Sequence, residues 1–139
     1  MTPEQPPKTD LALRLIACGL PVPHHFVDDG EVIVRLSEDV SPQFYSPGDS
    51  GYCPKTRIMW TVVTTDSGPQ LLPVLDDPML LGWLILELER VTGQRCNLYE
   101  LREDCWRVAM PIGGTYRAID GDTRIEALIA AMEAAKVAG

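Results

Sequence analysis

The sequence predicts an α+β fold, a mostly antiparallel sheet with helices packed on it. Several short segments are β-branched or alternate between apolar and polar residues, as strands do. Two segments carry helix-capping signals, and the turns of the C-terminal half are short enough to force antiparallel neighbours. With 139 residues, of which 45% are hydrophobic, the chain is expected to form one domain, residues 1–139.

The N-terminal half begins with a polar, Pro-rich stretch, residues 1–9, which is predicted to be a flexible lead. A short helix follows, because Thr9 or Asp10 can cap its first turn and Gly19 followed by Pro21 ends it. Residues 10–75 are thus predicted to be this helix followed by strands. The strands are residues 31–36, 57–65 and 71–74, the last folded back by a turn at residues 66–69.

A long loop is predicted between the first two of these strands, at residues 37–56. The segment has no hydrophobic periodicity and contains three prolines and two glycines. Such a segment is rare inside a compact domain, and where it occurs it is commonly a binding loop, a lid or a disordered insertion. Tyr45, Asp49 and Tyr52 in this loop are therefore candidate interface residues.

The C-terminal half, residues 76–139, is predicted to be an α-β-β-β-α unit. Asp77 followed by Pro78 predicts the start of a helix over residues 79–91, and Thr123 with Glu126 forms a capping box for the last helix. Side chains alternate within the sheet, so one of its faces is expected to be buried and the other partly exposed. The three strands are residues 96–101, 105–110 and 115–119.

The helix over residues 79–91 carries more apolar surface than one buried face requires. Met79, Trp83 and Leu86 form a second apolar stripe on the side opposite the core positions. Either the N-terminal helix covers this stripe, or the stripe binds a partner, with a homodimer as one form of that binding.

The charge of the chain is strongly acidic, since 12 Lys and Arg stand against 20 Asp and Glu, a net charge of −8. Direct nucleic-acid binding is not expected, because basic residues drive it. The recurring acidic pairs either keep the chain soluble or form a recognition surface for a basic partner. The full set of candidate interface residues is Met79, Trp83, Leu86, Asp28, Asp29, Glu38, Asp39, Tyr45, Asp49 and Tyr52.

The sequence gives only weak support for a catalytic or metal site. His24 and His25 are the two histidines of the chain, and with Asp49 and Cys53 they could supply a nucleophile, a base and an orienting group, or metal ligands. Adjacent histidines in an extended segment point in opposite directions, and no established catalytic or phosphate-binding motif is present. We therefore expect no catalytic residue, no metal and no cofactor, and keep a small hydrolase as an alternative.

The cysteines and the hydropathy pattern bear on the compartment. Four cysteines without a C-x-x-C pair are typical of reduced thiols in a cytoplasmic protein. No stretch approaches the roughly 18 to 20 continuous apolar residues that span a bilayer. We expect a cytoplasmic protein without a membrane partner.

The C-terminal run, about residues 72–137, resembles the phage ABA sandwich domain of small phage and prophage proteins. The resemblance rests on LPVLDDPMLLGWLILELERVTG as a capped helix, on CWRVAM, and on YRAIDGDTRIEALIAAMEAA, where a strand leads into an Ala-rich helix. It covers less than half of the chain, and the first seventy residues of the chain depart from the pattern. The resemblance implies a family of largely unassigned function, with no catalytic residues to carry over.

These observations favour a small acidic phage or mobile-element protein that acts by binding a host protein or protein complex in the host cytoplasm. One form of this hypothesis is an anti-CRISPR-like inhibitor, whose carboxylates occupy the basic groove of a nucleic-acid-handling defence complex. The alternatives are a structural or assembly protein that dimerises through the helix 79–91, and a hydrolase using the histidine and cysteine of the loop.

Overall fold

The computed structural model describes residues 7–138, and the predicted α+β class is confirmed. Within that range the chain forms three helices and nine strands. The helices are α1 (Pro7–Ala17), α2 (Pro78–Thr92) and α3 (Arg124–Ala138). The strands are β1 (His24–Asp28), β2 (Glu31–Arg35), β3 (Gln43–Tyr45), β4 (Ser50–Tyr52), β5 (Met59–Thr65), β6 (Gly68–Pro73), β7 (Asn97–Arg102), β8 (Cys105–Ile112) and β9 (Thr115–Gly121).

The strands form three small antiparallel sheets where the sequence led us to expect one. Each sheet is a meander of consecutive strands: sheet A is β1-β2-β3, sheet B is β4-β5-β6 and sheet C is β7-β8-β9. The chain divides into two compact units, residues 1–80 and 81–139, so sheets A and B belong to the first unit and sheet C to the second. A single domain remains a prediction.

Sheet A begins with a hairpin that the sequence analysis did not identify. Asp29 and Gly30 join β1 to β2 with positive φ angles of 50° and 80°, the conformation of a tight hairpin turn. The segment predicted as a long loop, residues 37–56, contains β3 and β4. Between these strands Ser46 to Asp49 form a turn closed by a 2.9 Å hydrogen bond from the Asp49 N–H to the Ser46 carbonyl.

Helix α1 starts earlier than predicted, at Pro7, so residues 7–9 are helical and not part of a flexible lead. The rest of that predicted lead, residues 1–6, lies outside the described residues. Proline is tolerated in a first helical turn because its missing N–H has no helical partner there. Thr9 is consequently inside the helix and buried, and α1 packs on β6.

The core of the first unit lies between its sheets and α1. Sheet A contacts β6 through β1 and β2, and its inward side chains include Val32 and Val34, which are almost fully buried. Trp60, near the start of β5, is also fully buried. These contacts leave the opposite face of sheet A turned away from the core.

Helix α2 begins at the predicted cap. Asp77 Oδ1 accepts the N–H of Met79 at 3.1 Å, and Asp77 Oδ2 accepts the N–H of Met59 at 3.0 Å. One carboxylate thus satisfies an N-terminal donor of the helix and a donor at the start of β5. Further along α2, Leu84 and Leu88 are fully buried, as expected for the core face.

The second unit contains the α3 helix packed on β8 and β9. Thr123 Oγ1 accepts the Glu126 N–H at 3.2 Å, which is one of the two hydrogen bonds of the predicted capping box. Val108 and Met110 of β8 are buried on the helix side, and Gly121 allows close approach because a Cβ there would lie 2.5 Å from the Ala127 backbone nitrogen. The expected division of sheet C into a buried and a partly exposed face is confirmed.

Candidate protein-binding surface

The solvent side of sheet A forms a small ordered surface, which we call the aromatic face. Strand register places His24 opposite Arg35, Phe26 opposite Ile33, and Asp28 opposite Glu31. Phe44 of β3 lies opposite Ile33 on its other side. Because directly opposed residues in an antiparallel pair share a face, these side chains form three successive rows: a basic row, an apolar row and an acidic row.

The apolar row is open to solvent. Phe26 is 60% exposed and Phe44 is 65% exposed, while Ile33 between them is half-buried. An exposed apolar patch framed by polar residues is typical of an interaction site. On the opposite face Val32, Val34 and Tyr45 are buried, whereas Val27 of β1 is 54% exposed. Strand β1 is therefore open to solvent on both sides, and Phe26 lies outside the core.

The charged rows are oriented by local hydrogen bonds. Arg35 Nη2 donates to the Glu38 carbonyl at 2.8 Å, which fixes the guanidinium beside the end of β2. The Ser46 hydroxyl donates to Glu31 Oε2 at 3.4 Å in the acidic row. Each row is held at its own end of the face.

A pocket of about 340 Å³ opens on the aromatic face. Phe26 and Ile33 form its apolar side, and Pro42 together with Arg35 and His24 lines the rest. A pocket with an apolar floor and a basic edge can accept an apolar side chain.

A larger cavity of about 820 Å³ adjoins the basic row, and we call it the Cys53 cleft. It brings together His24 and Cys53, the two groups on which the hydrolase alternative depends, with Arg35 and Lys55. The Cys53 thiol donates to the Leu36 carbonyl at 3.1 Å. That bond is directed at the backbone, whereas nucleophilic catalysis calls for a bond between the thiol and a base.

The environment of Cys53 lowers the pKa of its thiol. Burial raises the pKa of this thiol, but the backbone N–H groups of Thr56 and Lys55, the Thr56 hydroxyl and the Lys55 charge together bring the pKa below its usual value. At Cys96, by contrast, burial and the Glu89 carboxylate raise the pKa. Cys18, Cys53, Cys96 and Cys105 form no disulfide with one another.

The predicted acidic interface residues are on the surface. Asp28 and Asp29 are exposed at the tip of the β1–β2 hairpin, and Glu38 and Asp39 lie at the rim of the Cys53 cleft. Asp49 is also exposed, and its carboxylate accepts the N–H of Ser46 at 2.9 Å within the turn. The structure therefore brings the first four acids near the aromatic face and gives Asp49 a role in the turn.

The two predicted interface tyrosines have different positions. Tyr52 is 56% exposed at the end of β4. Tyr45 is only 7% exposed, because its ring lies over Gly51, where a Cβ would be 2.1 Å from the tyrosine hydroxyl oxygen. Tyr45 is thus a core residue and not the interface residue that the sequence predicted.

The apolar stripe of α2 is partly exposed. Met79 is 46% exposed, Leu86 is 69% exposed, and Trp83 is half-buried. The stripe remains a candidate surface in its own right.

Two negative findings hold for residues 7–138. None of the helices in this range is long and apolar enough to cross a membrane. In the same part of the chain, no group of three or more His, Cys, Asp or Glu side chains is arranged to hold a metal ion.

Comparisons with known proteins assign neither a family nor a function to this chain. No protein-family model matches this chain, and no curated protein and no solved structure matches it. The resemblance to the phage ABA sandwich domain therefore stays a prediction.

Proposed function

We propose that this protein acts by binding another protein through the aromatic face of sheet A. The observation that carries the proposal is the apolar row, in which Phe26 and Phe44 are both more than half exposed on either side of Ile33. Burying one such side chain contributes about 1.5 to 3 kcal/mol. Two exposed phenylalanines in one row, with Ile33 between them, can therefore anchor an interface.

The biological setting of the proposal is a small phage or mobile-element protein in the cytoplasm of its host. Its support is the resemblance of the C-terminal run and the net charge of −8. The acidic hairpin tip, with Asp28 and Asp29, adjoins the aromatic face and would favour a partner surface that is basic next to an apolar patch. A host defence complex with a basic groove is one such partner.

The test compares partner capture by three forms of the chain. Proteins captured from host lysate by the wild type are identified, purified and titrated against the wild type, Phe26→Ser/Phe44→Ser and the control Tyr116→Ser. Tyr116 is 67% exposed on sheet C, so its replacement removes a similar aromatic side chain from another sheet. We expect the double variant to bind at least about 30-fold more weakly and the control to bind as the wild type does. Equal affinity of the double variant would contradict the proposal.

A second candidate function rests on the Cys53 cleft, where His24 and Cys53 line one cavity. This arrangement is the basis for the hydrolase alternative. Its test is the release of product from a panel of ester and amide substrates by the wild type, Cys53→Ala and His24→Ala. Activity that both variants lose, with unchanged stability, would support it, and activity retained by Cys53→Ala would exclude a Cys53 nucleophile.

A further inference from the structure

We infer that the aromatic face binds a second copy of this chain, giving a two-fold symmetric dimer of sheet A on sheet A. This inference rests on the proposed function and names the partner at the same surface. Its basis is the order of the three rows, with opposite charges at the two ends of one apolar row.

The charges of the two outer rows do not pair with each other within sheet A. Arg35 and Glu31 are four residues apart on β2, which separates their Cα atoms by about 13 Å. The Arg35 guanidinium is bonded to the Glu38 carbonyl and the Glu31 carboxylate to the Ser46 hydroxyl, so each side chain is turned to its own end of the face.

Each charged row meets a row of opposite charge if two copies of sheet A stack face to face around a two-fold axis. This axis lies between the two sheets and runs along the apolar row. Rotation about this axis places each apolar row on the apolar row of the second copy and reverses the strand direction. The basic row, His24 and Arg35, then lies over the acidic row of the second copy, and the acidic row of the first lies over the basic row of the second. Such a self-complementary patch is what a two-fold interface requires.

The contact chemistry of this arrangement is favourable at each row. Phenylalanine rings from the two copies meet in the central row, where aromatic pairs add to the energy of burial. The pocket beside Ile33 and Pro42 can accept a ring of the second copy. The whole chain carries a net charge of −8, but across this contact Arg35 of each copy faces Glu31 of the other.

The face comprises three short strands, so we expect an equilibrium that depends on protein concentration. Sedimentation equilibrium of the full chain up to about 1 mM should give a mass that rises from monomer to dimer. Phe26→Ser/Phe44→Ser should raise the dissociation constant at least about 30-fold. Tyr116→Ser and Leu86→Ser, which remove exposed side chains elsewhere, should leave it unchanged.

A charge exchange tests the orientation of the dimer. Arg35→Glu makes both ends of the face acidic, and Glu31→Arg leaves the acidic row with no net charge because Asp28 remains, so each variant alone should dimerise at least about tenfold more weakly. An equimolar mixture should associate again, because in the mixed dimer the carboxylate introduced at position 35 of one variant would face the guanidinium introduced at position 31 of the other. Circular dichroism of each variant checks that the fold is retained.

The outcomes separate this inference from the proposed function. A wild type that stays monomeric throughout, or a dimer that Leu86→Ser removes and Phe26→Ser/Phe44→Ser does not, overturns the second-copy inference. If the monomer still binds a different protein through Phe26 and Phe44, the proposed function stands while this inference fails. If neither form of binding depends on those two residues, both fail. A charge-exchange mixture that associates no better than its components overturns the two-fold orientation.

Discussion

Sheet A and sheet C are both three-stranded antiparallel meanders, but their solvent faces carry different chemistry. On the outer face of sheet C, Tyr99, Arg107 and Asp120 lie in one row. Arg107 Nε donates to Asp120 Oδ1 at 2.6 Å and Nη2 donates to Oδ2 at 3.1 Å, so the opposite charges pair within the sheet. In sheet A the equivalent central row is Phe26, Ile33 and Phe44, and the opposite charges lie on either side of it.

The difference shows how the placement of charge changes what a sheet can do. A charged pair across neighbouring strands completes its interactions inside the molecule and leaves a polar face for water. Charges separated by an apolar row leave both the apolar row and the charges available to another molecule. Variants in and around the two sheets test this contrast, and the largest effect is expected in the core beneath sheet C.

Removal of a large side chain should strongly lower the free energy of unfolding on the covered face of sheet C and hardly change it on the aromatic face. Met110→Ala, at a position 1% exposed beneath α3, should lower the free energy of unfolding by about 2 to 5 kcal/mol. Phe26→Ala should change it by less than about 0.5 kcal/mol. Urea unfolding at a protein concentration low enough to keep the chain monomeric measures both, and a loss at Phe26 as large as that at Met110 would mean that Phe26 serves the fold.

The close packing of α3 on sheet C should make Gly121 intolerant of a side chain. Gly121→Ala places a Cβ against the backbone nitrogen of Ala127, which cannot move like a flexible side chain, so we expect a loss of about 1 to 3 kcal/mol. Gly82→Ala in α2 is the matched control, because a Cβ there meets nothing within 4 Å. The control should gain about 0.5 to 1 kcal/mol from helix propensity. Thermal unfolding of the two variants would refute this account if Gly121→Ala were as stable as the wild type.

The Cys53 cleft beside the basic row should contain the most reactive thiol of the chain. The lowered pKa of Cys53 increases its thiolate fraction near neutral pH, whereas the raised pKa of Cys96 decreases it. Iodoacetamide labelling followed by peptide mass spectrometry should therefore modify Cys53 before Cys18, Cys96 and Cys105. Thr56→Val removes the hydroxyl that stabilises the thiolate and should slow the labelling of Cys53, with Cys105 as the internal reference. Faster labelling of Cys96 than of Cys53 would contradict this.

The smallest effect is expected at the paired charges on sheet C. A hydrogen bond from Arg107 lowers the pKa of Asp120, so its contribution is present above the ordinary pKa of an aspartate and is lost as pH falls through the lowered value. Asp120→Asn should therefore lower Tm slightly at pH 7 and leave it unchanged in strong acid. Glu100→Gln, another exposed carboxylate of sheet C, is the control. A Tm difference that persists in acid would point to a cause other than the ion pair.

Local signals made most of the C-terminal half, residues 76–139, predictable. Asp77 with Pro78, and Thr123, are capping residues whose effect depends only on the adjacent turn of helix, and both helices begin where the sequence indicated. The turn of Gly113 and Gly114, with φ angles of 63° and 85°, fixed the neighbouring strands as a hairpin. Such interactions span few residues and can be identified from the sequence alone.

The aromatic face was not predicted, for two reasons: one sequence signal was missed, and for the third strand the sequence contains no signal. Asp29 followed by Gly30 between apolar segments is a strong hairpin signal, and it would have placed Phe26 opposite Ile33. The third strand, β3, has only three residues and no alternating pattern, and its position depends on pairing with β2. The burial of Tyr45 likewise depends on the space above Gly51, which exists only once the strands are in place.

The most direct measurement for the central claim, that the aromatic face binds protein, is a concentration series of the methyl resonance of Ile33 by NMR. A contact through the apolar row places aromatic rings of a second molecule on this methyl, so its chemical shift should change as the wild type is concentrated, while Ala118 on sheet C stays constant. The same series with Phe26→Ser/Phe44→Ser should show no change. A methyl shift that is independent of concentration, and equally insensitive to any partner that the chain captures, would contradict the account.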